Sequence, residues 1–87
     1  MPDVSILIVN WNAQALLAKC LRHVEATVQR VSYEVIVVDN HSSDGSQDMV
    51  RRDFPTVTLI ANSDNKGFAA ANNQGIAVSQ GRYVLLL

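Results

Sequence analysis

The chain has 87 residues, of which 48% are hydrophobic and 17% are charged, and its seven basic and eight acidic residues leave a net charge of -1. A chain of this length forms one domain and buries about two thirds of its unfolded surface. The composition is too apolar for a disordered chain, no basic cluster favours nucleic-acid binding, and no apolar run approaches the roughly 18 residues of a membrane span. The single cysteine, Cys20, excludes an internal disulfide and favours a reducing cytoplasm.

The first half of the chain predicts a strand, a helix and a second strand. Val4 to Val9 is a short, nearly continuous apolar run, which is typical of a strand buried on both faces. Apolar residues then recur at three- and four-residue spacing from Ala13 to Val28, which predicts an amphipathic helix with Asn12 as its N-cap. The next apolar run, Glu34 to Val38, predicts the second strand.

The second half predicts two helices that alternate with two strands. These are a helix over Ser46–Phe54, a strand over Val57–Ala61, a helix over Phe68–Gln80 and a last strand over Tyr83–Leu87. Pro55 ends the first of these helices, and Gly81 is expected to follow the second in the left-handed backbone region. The alternation of strands and helices predicts an α/β fold, a three-layer Rossmann-like parallel sheet with strand order 3-2-1-4 and right-handed crossovers.

Several common motifs for phosphate and metal binding are absent. The four glycines do not form the Gly-rich fingerprint of dinucleotide-binding proteins, and the chain has no P-loop. His23 and His41 are isolated, so the spacing predicts no metal site; His23 is interpreted as a surface residue and His41 as a candidate contact in the loop after the second strand.

Three polar clusters follow three of the predicted strands, at residues 10–12, 39–46 and 65–67. All strands of a parallel sheet point the same way, so these clusters are expected to gather at the carboxyl edge, where α/β proteins bind ligands. Each cluster alone has a simpler structural explanation. Asn12 can cap a helix, residues 44–46 can form a turn and a cap, and Gly67 can give the third loop the backbone freedom it needs. Their convergence, together with an acid at the end of a buried strand, favours a binding site.

The residue types at this edge suit a nucleotide. Asp39 can accept a hydrogen bond from a pyrimidine ring N–H or a ribose hydroxyl, and Trp11 can flank a base. The N-termini of the helices that follow the loops favour a diphosphate.

Three segments resemble the beginning of family 2 glycosyltransferases, in particular a bacterial rhamnosyltransferase-like branch. They are Val-Ser-Ile-Leu-Ile-Val-Asn-Trp-Asn at 4–12, Val-Val-Asp-Asn-His-Ser-Ser-Asp-Gly-Ser at 37–46 and Asn-Lys-Gly-Phe-Ala-Ala-Ala-Asn-Asn-Gln-Gly at 65–75. The resemblance covers essentially the whole chain and implies the N-terminal half of a GT-A fold. It implies transfer of a sugar from a nucleoside diphosphate, UDP or dTDP, to an acceptor hydroxyl in cell-wall or polysaccharide biosynthesis.

The resemblance also implies which residues bind the nucleotide. Asp39 matches the acid that recognises the pyrimidine ring, and the complete set is Asn10, Trp11, Asn12, Asp39, Asp44, Asn65, Gly67 and Asn72. Lys66 is within reach of a phosphate, although an exposed, solubilising role fits it equally well. No catalytic residue and no metal ligand is expected within the chain.

In the family, the strand that corresponds to Tyr83–Leu87 runs into an acidic motif that binds a divalent metal, Mg²⁺ or Mn²⁺, and the donor diphosphate. Residues 1–87 stop before that motif, so we expect them to be the N-terminal nucleotide-sugar-binding part of a longer, cytoplasmic or peripherally membrane-bound enzyme. Two alternatives remain open at this point. One is a complete, non-catalytic nucleotide-binding module; the other is a fragment that forms a homo-oligomer through its open sheet edge.

Overall fold

The computed structural model describes all 87 residues. Strands and helices alternate along the chain as β1 (Val4–Asn10), α1 (Gln14–Thr27), β2 (Tyr33–Asp39), α2 (Ser46–Asp53), β3 (Thr58–Ala61), α3 (Phe68–Val78) and β4 (Tyr83–Leu86). The runs of Val and Ile form β1 and β2 because branched side chains pack well on a pleated surface that is covered on both faces.

The four strands form one parallel sheet in the order β3-β2-β1-β4, which confirms the predicted topology. In the register of β1 with β2, Asn10 lies opposite Asp39, so the two strands end at the same level. The polar residues that follow them therefore begin at the same edge of the sheet.

The helices lie on both faces of the sheet and create two hydrophobic clusters of different size. The larger cluster has 11 buried residues and joins α1 and α2 to one face, with Leu21 and Val50 each 1% exposed at its centre. The smaller cluster has four buried residues and joins Ala71 of α3 to the other face. The connection changes face between β1 and β4, and the carboxyl ends at such a switch point are where open α/β sheets bind ligands.

Asn12 does not cap α1, contrary to the prediction. The N-cap position is Ala13, which makes no side-chain capping bond, and Asn12 has a positive φ of 49°. Its side chain instead accepts a hydrogen bond from the backbone N–H of Ser43, with a distance of 2.7 Å. A contact between two loops therefore replaces the expected local contact within one helix.

Gly81 does not adopt the left-handed conformation that was predicted after α3. The helix ends at Val78, and Ser79 is already extended with a ψ of 143°. Gly81 is needed for close approach, because a Cβ there would lie 2.5 Å from the backbone nitrogen of Ser5. None of the three helices is both long and apolar enough to cross a membrane.

Candidate functional site

The three polar clusters come together at the carboxyl edge of the sheet, as predicted. Asn10 Nδ2 donates to Asp39 Oδ1 at 2.9 Å and thereby links the β1–α1 loop to the β2–α2 loop. Asn40 Nδ2 donates to the carbonyl oxygen of Gly67 at 3.1 Å and links the β2–α2 loop to the β3–α3 loop. The edge is thus one hydrogen-bonded unit built from segments that are distant in sequence.

Asp39 is buried at the centre of this unit. Its carboxylate accepts two hydrogen bonds on each oxygen: from Asn10 at 2.9 Å and the Ser42 hydroxyl at 2.6 Å on Oδ1, and from the Ser42 N–H and Gln47 Nε2, both at 2.8 Å, on Oδ2. Burial alone would raise the pKa of Asp39, but the hydrogen bonds from Ser42, Gln47 and Asn10 outweigh it and lower the pKa. The carboxylate is therefore ionised and fully hydrogen-bonded.

Ser42 connects the same carboxylate to the neighbouring loop. Its hydroxyl donates to Asp39 and accepts from the backbone N–H of Asn12 at 2.8 Å. Asn12 and His41 both have positive φ values, 49° and 67°, which residues other than glycine adopt uncommonly. The network around Asp39 holds both loops in these conformations.

Asp44 ties together the beginnings of two helices. One carboxylate oxygen accepts from the backbone N–H of Gln14 in α1 at 2.9 Å, and the other accepts from the N–H of Ser46 in α2 at 3.0 Å. The hydrogen bond from the Ser46 hydroxyl is the main reason that the pKa of Asp44 is lowered. One N–H group at the start of α1 and one at the start of α2 therefore already have a carboxylate partner within the protein.

The N-terminus of α3 carries no acidic residue in its first turn and no side-chain cap. Gly67, the N-cap, has a φ of 85°, and its N–H donates to Asn65 Oδ1 at 2.9 Å. A cluster of side-chain amides fixes the loop before it, since Asn62 Nδ2 donates to both Asn40 and Gln74. Lys66 pairs with Asp64 at 2.8 Å, and this hydrogen bond lowers the pKa of Asp64.

The predicted site residues divide into two groups. Asn10, Asp39 and Asp44 use their polar groups within the protein, and the Oδ1 atoms of Asn12 and Asn65 accept backbone N–H groups. Trp11 has 56% of its surface exposed and projects beside the linked loops, whereas Asn72 is 7% exposed and forms no hydrogen bond with another side chain. Trp11, Asn12 and Asn65 are exposed at this edge, whereas Asn72 is buried.

Sequence reasoning missed the partners that hold the acids and the third loop. They are Asn40, Ser42, Gln47, Asn62 and Gln74. Ser42 lies within the polar cluster at residues 39–46, but its role depends on a strand register that the cluster does not contain. Gln47 and Gln74 lie in helices, where a glutamine is an ordinary surface residue.

The residues of this chain do not form a divalent-metal site. No group of three or more histidine, cysteine or acidic side chains lies close enough to hold a metal ion. The carboxylates of Asp39 and Asp44 both accept hydrogen bonds within the protein, and Asp39 accepts two on each oxygen.

An apolar groove of about 440 Å³ lies elsewhere, along α1 and the end of β4. Its lining is Leu16, Lys19, Cys20, His23, Val24 and Leu87. None of these residues belongs to the three linked loops, so the groove is separate from the candidate site.

The fold and the linked edge define an α/β protein with hydrogen-bonded polar loops at the carboxyl ends of its parallel strands. Residues 5–87 match the family described as Glycosyl transferase family 2. The chain therefore belongs to glycosyl transferase family 2.

Relatives and a solved structure agree with this assignment. The chain is 33% identical to the glycosyltransferase AglE of Haloferax volcanii, covering 100% of this chain and 30% of the relative. It is 32% identical to the succinoglycan biosynthesis protein ExoO of Rhizobium meliloti, and the match covers 100% of this chain and 25% of that protein. A mannosyltransferase of Pyrobaculum calidifontis, solved in complex with GDP-Man and Mn²⁺, superposes with a TM-score of 0.85 at 29% identity, covering 95% of this chain and 26% of that one. The chain thus spans about a quarter to a third of the length of these proteins.

Proposed function

We propose that this chain binds the nucleotide of a nucleoside-diphosphate-sugar donor, UDP or dTDP, as the N-terminal part of a glycosyltransferase. In the parent reaction the sugar is transferred to an acceptor hydroxyl, in the synthesis of a polysaccharide or cell-wall polymer. The observation that carries the proposal is the hydrogen-bonded edge, in which Asn10 and Asn40 join three loops at the carboxyl ends of the strands.

The chemistry of the exposed groups supports a nucleotide. The Trp11 ring offers a flat apolar surface on which a base can stack. The exposed NH₂ groups of Asn12 and Asn65 can donate to the carbonyl oxygens of uracil or thymine, whereas their Oδ1 atoms already accept hydrogen bonds from Ser43 and Gly67. The backbone N–H groups at the start of α3 favour a diphosphate, because no acid or capping side chain competes for them.

The proposal assigns recognition and no catalytic step to these residues. Asn10, Asp39, Asp44 and Gly67 complete the proposed nucleotide-binding set by shaping the loops from which the other members project. The base that activates the acceptor, and the acids that hold Mg²⁺ or Mn²⁺, are proposed to lie outside residues 1–87. A cytoplasmic location, with peripheral membrane attachment of the parent enzyme, and the rhamnosyltransferase-like branch stay predictions.

The experiment is a titration of the chain with UDP, dTDP and GDP. Trp11 is the only tryptophan, so its fluorescence reports directly on the proposed site. We expect UDP and dTDP to quench this fluorescence, and the amide signals in ¹H–¹⁵N NMR spectra to shift at residues 10–12, 39–46 and 65–72. GDP tests whether the edge also accepts a purine base, because the mannosyltransferase of Pyrobaculum calidifontis was solved in complex with GDP-Man.

A matched pair of variants locates the binding surface. Trp11→Ala removes an aromatic ring that is 56% exposed at the edge, and Tyr83→Ala removes one that is 66% exposed at the start of β4. We expect only Trp11→Ala to weaken binding, measured by NMR. Shifts that map outside the three loops, or no response to any nucleotide at millimolar concentration, would contradict the proposal.

A further inference from the structure

We infer that Asp39 is a positioning residue of the nucleotide site, whose carboxylate locks the β1–α1 and β2–α2 loops together and does not touch the nucleotide. This inference rests on the proposed function. It differs from the role that the family resemblance implies for Asp39, which is direct recognition of a pyrimidine ring.

The acceptor positions of Asp39 are all occupied within the protein. A carboxylate has about four lone-pair positions, and Asp39 receives four hydrogen bonds from Asn10, Gln47 and both donors of Ser42, at 2.6 to 2.9 Å. Asp39 is also 1% exposed. A ring N–H would have to displace one of these donors and leave it buried without a partner, which is unfavourable.

The Asp39 side chain also lies on a covered face of the sheet. Side chains alternate along a strand, so Asp39 points to the same face of the sheet as Val37. Val37 belongs to the hydrophobic cluster under α1 and α2, and Gln47 of α2 reaches Asp39 at 2.8 Å. The carboxylate therefore lies beneath the first turn of α2 and is covered by it.

The carboxylate of Asp39 controls the backbone beside Trp11. The Ser42 hydroxyl donates to Asp39 and accepts from the backbone N–H of Asn12, so it connects the carboxylate to this backbone. The Asn12 side chain in turn accepts from the N–H of Ser43. Asn12 directly follows Trp11, and its φ of 49° sets the direction in which the chain leaves β1. Loss of the Asp39 charge is expected to release this backbone and with it the orientation of the Trp11 ring, so that the ligand surface is no longer preorganised.

The test is a thermodynamic cycle with two ligands, UDP and its N3-methyl analogue, which lacks the ring N–H. Binding to the wild-type chain and to Asp39→Asn is measured by Trp11 fluorescence. A positioning role predicts that Asp39→Asn weakens both ligands by the same factor, on the order of tenfold, as for other residues that orient a binding group. A loss confined to UDP would mean that the carboxylate receives the ring N–H, and would overturn the inference.

The 2′-deoxy and 3′-deoxy analogues of UDP extend the cycle to the ribose. Asp39→Asn should weaken them by the same factor as UDP. A smaller loss with either analogue would indicate a hydrogen bond between Asp39 and that hydroxyl, which would also overturn the inference.

Ser42→Ala gives a second test that keeps Asp39 and three of its four hydrogen bonds. If Asp39 acts through Ser42, this variant should bind UDP about as weakly as Asp39→Asn. Without ligand, the amide proton of Asn12 should move upfield in Ser42→Ala, which lacks the accepting hydroxyl, and also in Asp39→Asn, which removes the charge that holds this hydroxyl in place. Wild-type affinity in Ser42→Ala would contradict the positioning role.

Asp48→Asn serves as the control, since the side chain of Asp48 is 86% exposed on α2 and pairs with Arg51 of the same helix. It should leave the affinity for both ligands unchanged. The two hypotheses fail differently: if the wild-type chain binds no nucleotide, the proposed function fails, whereas binding with a carboxylate-dependent response to N3 methylation overturns the positioning role alone.

Discussion

Asp39 is a carboxylate that lies almost completely buried at the end of β2 and still keeps a pKa below its ordinary value. Burial disfavours the charged form, yet the donors around Asp39 are so numerous that the charged form is favoured overall. The pKa of Asp44, which lies at the surface, is also lowered, because Ser46 and the N–H of Gln14 donate hydrogen bonds to its carboxylate. The two acids of one loop are therefore structural anchors in different environments.

The lowered pKa of Asp39 predicts a stability difference that depends on pH. The unfolded pKa is about 3.9, so the ionised carboxylate contributes its full stabilisation above that pH and loses it as the pH falls through the lower folded value. Asp39→Asn should lower the free energy of unfolding by about 1–3 kcal/mol at pH 7. The difference in the free energy of unfolding between Asp39→Asn and the wild type should persist down to about pH 5 and narrow below about pH 4. Urea unfolding at a series of pH values measures it.

Asp48→Asn is the matched control for this stability series. The side chain of Asp48 is 86% exposed, and its ion pair with Arg51 spans 3.6 Å. Such a surface pair contributes about 0–1 kcal/mol, so this variant should unfold nearly as the wild type does. A gap for Asp39→Asn that stays constant down to pH 2 would show that the charge of Asp39 does not stabilise the fold.

At the scale of the elements, a set of hydrogen bonds holds the α3–β4 connection at the end of the sheet opposite the candidate site. The Ser5 hydroxyl donates to Glu34 at 2.5 Å and accepts from the N–H of Gly81 at 2.8 Å. The N–H of Gln80 also donates to Glu34, at 2.6 Å. These contacts bring the connection so close to β1 that only glycine fits at position 81.

Gly81→Ala is expected to destabilise the chain. The added Cβ would lie 2.5 Å from the Ser5 backbone nitrogen and 2.6 Å from its hydroxyl, and a backbone atom of β1 cannot easily move away. Overpacking of this kind costs about 1–3 kcal/mol, which thermal or urea unfolding can measure. Gln80 is exposed, and Gln80→Ala keeps the hydrogen bond from its backbone N–H to Glu34. This control variant should therefore be about as stable as the wild type. Equal stability of Gly81→Ala and the wild type would argue against a close contact at this position.

The sequence predicted all seven elements, and the differences lie at their ends. The Val and Ile runs placed β1 and β2 to within one residue, because a long apolar run has few other ways to be buried. The end of α3 was placed two residues too late, at Gln80 instead of Val78. Gly81 has the pattern of a local helix stop, but the reason for it is a contact with Ser5, which is far away in the sequence.

At the scale of the whole molecule, the sheet is covered unevenly. The face under α1 and α2 holds 11 buried residues, the face under α3 holds four, and all residues of β4 are exposed. Leu85, at the middle of this edge strand, is 48% exposed. The free hydrogen-bonding edge, its apolar side chains and the net charge of -1 favour pairing with a second copy of the chain.

Leu85→Lys should therefore reduce self-association, because a charged residue on an edge strand opposes strand pairing. Light scattering after gel filtration measures the effect across a concentration series. Val31→Lys introduces the same charge at a loop residue that is 46% exposed, away from β4, and should not change the mass. A wild-type chain that stays monomeric at every concentration would contradict the prediction.

The sequence by itself determined the order of strands and helices, the parallel sheet and the edge at which the polar clusters gather, because hydrophobic periodicity and chain direction are local properties. Only the tertiary structure decided how those clusters are used. The bonds that occupy Asp39 come from Asn10 in β1, Ser42 in the adjoining loop and Gln47 in α2, and the Asn10 bond spans 29 residues. Whether an acid at a strand end is free for a ligand or already satisfied depends on strand register and helix placement, which no single segment contains.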